Sequence, residues 1–187
     1  MRRVAAVLLL LSCPALAVAQ EKPPITPLRD VDITYSMAQP IQGGPPLTQR
    51  MRWSVTAGKL RVDPPSPGLY MIIDYRTKRL AVVKDSERAV LDMNASAPGL
   101  PGAASSASFT RGGADQVAGL ACTNWQTTDA SGRPTLICVT VDGVMLRASQ
   151  DGHALLEAAS VTFGAQDPAA FLPPDGYRHI SPVVNAP

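Results

Sequence analysis

The chain has 187 residues with 17 Lys and Arg against 15 Asp and Glu, a formal charge of +2, and it is 45% hydrophobic but only 5% aromatic. Arg2 and Arg3 account for the excess, so the remainder balances at 15 basic and 15 acidic residues. Without a basic cluster or tail, the electrostatic footprint of a nucleic-acid binder or of a protein held on anionic lipid is excluded.

Residues 1–19 read as a secretory signal peptide, with two arginines, an uncharged apolar run over residues 4–11, and small residues at Ala15, Ala17 and Ala19. The run is too short for a lasting membrane anchor. Cleavage is expected after Ala19, with Ala17 as the alternative, leaving about 170 residues, a usual length for one domain. No later run is long enough to span a bilayer, so the mature chain is expected to be periplasmic or secreted. Leu10-Leu11-Ser12-Cys13 offers a competing lipobox-like site, which would anchor the protein through a lipidated Cys13; Pro14 and the short apolar run count against it.

Residues 20–27 are polar and proline-rich and are expected to fray, as is the tail at 181–187. Between them, residues 28–180 form one β-rich domain with mostly period-two patterning. Val31, Ile33, Tyr35 and Met37 alternate with Asp30, Asp32, Thr34 and Ser36, and Met51, Trp53 and Val55 alternate with Arg50, Arg52, Ser54 and Thr56. After Gly58, "KLRVD", "LYMIIDY", "RLAVVKD" and "RAVLDM" follow in short succession. Tyr75-Arg76-Thr77-Lys78 and Lys84-Asp85-Ser86-Glu87 are tight enough for hairpins, which predicts an antiparallel meander. Within "LYMIIDY", Met71, Ile73 and Tyr75 share one face while Asp74 points outward, a carboxyl whose pKa burial would raise. Arg50 and Arg52, and the run from Arg76 to Arg79, read as solvated strand faces and a charged turn.

Residues 94–108, "NASAPGLPGAASSAS", read as a flexible loop, either a tolerated insertion or a lid or partner-binding excursion. Beyond it stand Cys122 and Cys138. If Asp129-Ala130-Ser131 is a three-residue hairpin loop, Thr128 faces Gly132 and, counting outward, Cys122 faces Cys138. An exported chain would join them as a structural disulfide. A redox pair would normally be Cys-x-x-Cys, and a zinc site needs about four ligands, with only His153 and His179 available besides the thiols. Further on, "HALLEAASVTFG" alternates as a strand, although residues 154–159 and 167–171 also suit short helices. The total is eight strands or more.

No Gly-x-Ser-x-Gly elbow, phosphate loop, His-Glu-x-x-His helix or calcium loop occurs. The chain is therefore expected not to be an enzyme and to need no cofactor or metal. A carboxylate pair assembled only in space is the enzymatic alternative.

Three stretches carry a family resemblance. "LRVDPPSPGLYMIIDYRTKRLAVVKDSERAVLDM", "VAGLACTNW" followed by "CVTVDGVMLR", and "DPAAFLPPDGYRHI", with Phe171, Pro174, Gly176 and Tyr177, together resemble bacterial exported domains of the LolA/LolB-like superfamily of outer-membrane lipoprotein carriers. The nearest resemblance is to an uncharacterised branch whose members carry no assigned activity. The resemblance implies a strongly curved antiparallel sheet, a half-barrel with an apolar cavity under helices; this chain departs from it in having few and short helices, and a β-sandwich is the alternative. The partners implied are a lipid, a lipoprotein or another apolar envelope component, or else an envelope protein bound without a small ligand. Met51, Trp53, Val55, Met71, Ile73 and Tyr75 are the candidate residues of the apolar face.

Overall fold

The computed structural model describes residues 21–38, 47–95 and 108–181. The leader with Cys13, most of the 94–108 loop and the tail beyond Ser181 lie outside the described residues. The described chain forms one twelve-stranded sheet, mostly antiparallel, curved and open, rather than a sandwich. Its strands are β1 (Val31–Met37), β2 (Leu47–Ser54), β3 (Lys59–Asp63), β4 (Leu69–Asp74), β5 (Arg79–Lys84), β6 (Ala89–Asn94), β7 (Thr110–Val117), β8 (Leu120–Thr128), β9 (Pro134–Val139), β10 (Met145–Gln150), β11 (His153–Phe163) and β12 (Arg178–Ile180).

Two meanders make up the sheet. β1 to β6 pair in sequence, β7 to β11 pair in sequence, and β1 meets β11 antiparallel at the seam between them. Only β12 runs parallel, against the outer edge of β6. Residues 154–159, with their helix-favouring alanines, lie inside β11, where alternation and pairing with β1 on one side and β10 on the other outweigh helix propensity. The proposed helix at 167–171 is a short 3-10 helix, Pro168–Phe171, capped by the Asp167 carboxylate. Among the described residues no α-helix covers the sheet.

Directly opposed residues share a face, so the registers trace two apolar ladders across seven strands. One runs Phe163, Val31, Trp53, Leu60, Ile73, Leu80, Met93. The next runs Val161, Ile33, Met51, Val62, Met71, Val82, Leu91. All ladder residues except Leu91 belong to the main buried cluster or pack against it. Val55 departs from the expected alternation: β2 ends at Ser54, and Val55 sits exposed in the following turn, its amide donating to Asp30 Oδ1.

The opposite face of β2 to β6 is also partly covered. Tyr70, Ile72, Val83 and Val90 form a smaller cluster with Tyr177 against it. This explains why "LYMIID" is apolar on both sides rather than alternating. On that face Arg50 pairs with Asp32, while Arg52 and Arg61 both pair with Asp63, at 2.8 and 2.7 Å. The Arg61 guanidinium lies 3.7 Å over the Tyr70 ring and donates to the Ala170 carbonyl, which fastens the 3-10 helix to the sheet.

Burial opposes ionisation of Asp63, but hydrogen bonds from Arg61 and Arg52 outweigh it and hold the carboxyl below its ordinary 3.8. A depressed folded value means stability that is present at neutral pH and lost as the pH falls through it. In urea titrations Asp63→Asn should therefore be less stable than the parent at pH 7, with the gap closing below about pH 4. A gap that persists unchanged at acid pH would show that the carboxylate charge is not what matters.

Candidate functional site

The strongest candidate is an apolar cavity of about 320 Å³ on the ladder face. Its floor and walls come from distant strands: Val31 and Tyr35 of β1, Trp53 of β2 and Leu60 of β3 on one side, Ile137 and Val139 of β9 on the other. Five strand spacings separate β3 from β9 in the sheet order, about 24 Å if the sheet were flat. Their meeting round one cavity makes this the concave face.

Of the six residues expected on the apolar face, Met51, Trp53 and Tyr75 line the cavity. Met71 and Ile73 belong to the same ladders but pack into the core beside it, and Val55 faces another hollow with Leu28 and Phe163. Tyr75, in the turn after β4, stands edge-on to Trp53 with ring centroids 5.3 Å apart and planes at 65°. Burial pushes its phenol above the ordinary value of 10.0. Deeper in, burial raises the Tyr35 phenol further, and its hydroxyl donates to the Met145 carbonyl at 2.7 Å. Both phenols stay neutral at physiological pH.

A wall that alternation did not suggest comes from the segment before β1. Ile25, Thr26 and Pro27 line the cavity. Residues 21–27 were expected to fray; instead Pro23 is buried, Glu21 reaches Arg111 of β7 at 2.7 Å, and the Leu28 amide donates to the Asp142 carbonyl at 2.8 Å. The receiving element is the β9–β10 turn, closed by reciprocal bonds between Thr140 and Val144. Gly143 sits there at φ +82°, and a Cβ on it would stand 2.3 Å from the Thr26 carbonyl oxygen.

The remaining candidates are not brought to this cavity. Asp74 accepts amides of Arg76 and Thr77 in the β4–β5 turn; these hydrogen bonds outweigh its desolvation and lower its pKa, opposite to the rise expected from its apolar neighbours. His153 is exposed at the start of β11, and His179 lies 2.7 Å from Asp92 at the β12 edge. Among the described residues no three His, Cys, Asp or Glu side chains cluster as a metal site. Cys122 and Cys138 are joined as a buried disulfide, with Cα atoms 5.5 Å apart.

No family model and no curated protein sequence matches the chain. Solved structures do. An uncharacterized conserved protein from Thermus thermophilus superposes with a TM-score of 0.59 at 12% identity, over 82% of this chain and 91% of that one. PNGF-II matches with a TM-score of 0.55 at 13% identity, over 82% of this chain, which spans only 31% of that protein. At such identities the likeness is one of fold. MucB gives 0.47 at 13% identity, over 83% of this chain and 60% of that one.

Proposed function

We propose that the protein is an exported, non-enzymatic module of the LolA/LolB-like kind that takes an apolar envelope component, a lipid or the lipid part of a lipoprotein, into the concave cavity. The observation that carries this reading is the cavity itself: about 320 Å³, at the small end of ligand sites, and walled by Trp53, Leu60, Ile137 and Val139 with no charged side chain in the lining. A surface of that kind favours apolar contacts and offers no activated nucleophile or general base. The buried cystine suits an oxidising compartment and so supports export.

The test uses the mature chain made in a bacterial periplasm. An apolar fluorescent probe should bind saturably at one site per chain, and Tyr75→Asp at the half-exposed mouth should weaken it about tenfold, or 1.4 kcal/mol, with the β-rich circular dichroism of the parent retained. A ligand-free native mass together with no saturable uptake would remove the reading.

One observation favours a second reading, an envelope interaction module without a small ligand. β7 ends the sheet with an exposed outer edge, the kind of surface to which a partner strand can add. The register shift between Arg111 and Ala114, at Gly112 and Gly113, blunts that edge.

A further inference from the structure

We propose that residues 21–28 are a strap that completes the cavity, and that Ile25 and Pro27 belong to its ligand-contact surface and govern how fast a ligand leaves. This rests on the reading of the cavity as an apolar ligand site and adds to it residues that neither strand alternation nor the family resemblance singles out.

Four contacts lay the segment down as a unit. Glu21 is tied to Arg111, Pro23 is buried, and the Leu28 amide is bound to the Asp142 carbonyl. Arg29, immediately after the strap, pairs with Asp142 at 3.4 Å and lies 4.1 Å over the Phe163 ring. Gly143 is the fitting point: the Thr26 and Pro24 carbonyls approach it so closely that any side chain there would push them away. Three successive residues of the strap then wall a cavity whose other walls are strand residues, apart from Tyr75 and the Gly143–Val144 turn.

Two features mark the strap as the movable wall. It belongs to no strand, so it can lift without breaking the ladders. Ile25 lines the cavity yet is 64% exposed, an apolar side chain of which much would be covered by an occupant. A bound apolar molecule therefore gains contact area from the strap and holds it down in return. Release forfeits that contact, so weakening the strap speeds dissociation.

The experiment follows release of N-phenyl-1-naphthylamine by stopped-flow fluorescence from the parent, Ile25→Asp and Gly143→Ala. Release should be about tenfold faster in both variants. Ile25→Asp alters an exposed residue outside the sheet, so its thermal midpoint should match the parent, which separates loss of the wall from loss of the fold should Gly143→Ala distort its turn. Equal release rates in the parent and Ile25→Asp would overturn the strap while leaving the ligand site standing. An absence of saturable binding in all three proteins would remove the ligand site and the strap with it.

Discussion

Replacing Tyr35 with alanine is expected to cost about 3–5 kcal/mol, the range for truncating a large buried aromatic side chain. Tyr35 is 2% exposed and stands on β1, between Gln49 of β2 and Ala158 of β11. That position is the seam where the two meanders join, so a void there loosens the contact between β1–β6 and β7–β11 rather than one hairpin. Its hydroxyl also reaches past β11 to the Met145 carbonyl on β10, crossing the register shift at Thr34 and Tyr35. Tyr35→Phe separates the two contributions: it keeps the ring and orphans the carbonyl, at about 1–3 kcal/mol. Urea titration at neutral pH, where the phenol is un-ionised, measures both. A cost below about 1 kcal/mol for Tyr35→Ala would mean that the seam tolerates the void by collapsing around it.

The ladders were legible because alternation carries them. Val31, Ile33 and Tyr35 declare one face of β1, Met51 and Trp53 one face of β2, and the tight turns after β4 and β5 fix neighbours in sequence as neighbours in the sheet. Val55 was misplaced because alternation cannot say where a strand stops; the turn closed by the Gly58 amide on the Ser54 carbonyl ends it one residue earlier. The far walls of the cavity were not legible. Ile137 and Val139 meet Trp53 only because the sheet curls, and curvature comes from twist and from bulges such as those at Ala148 and Ser149 and at Met145 and Arg147, which have no period. The strap was hidden for a different reason: its prolines read as loose chain, while the partner that accepts them, Gly143, lies far along the chain and gives itself away only through a positive φ and a missing side chain.

Removing the cystine by Cys122→Ser with Cys138→Ser should lower stability by about 3 kcal/mol through loss of the loop constraint on the unfolded chain, and the thermal midpoint by about 6–12 °C for a chain of this size. The bond is the one expected, but the register that carries it differs. Thr128 faces Pro134 and Asn124 faces Cys138, so the hairpin loop is five residues, 129–133, and Cys122 joins Cys138 on the diagonal. Asp129 explains the longer loop. Its carboxylate accepts the amides of Arg133 and Ser131 and the side chains of Gln150 and Arg133, bonds that hold its pKa far below 3.8. A three-residue loop would forfeit the Arg133 bonds.

The hairpin thus has two independent fasteners, a polar one at its tip and a covalent one lower down. In the double variant the tip keeps the register, so circular dichroism should stay β-rich while the midpoint falls. The single change Cys138→Ser loses the same cross-link and should cost a similar amount. A double variant within about 1 kcal/mol of the parent would show that the ladder and Asp129 already hold β8 to β9, and that the disulfide adds little to the folded sheet's advantage over the unfolded chain.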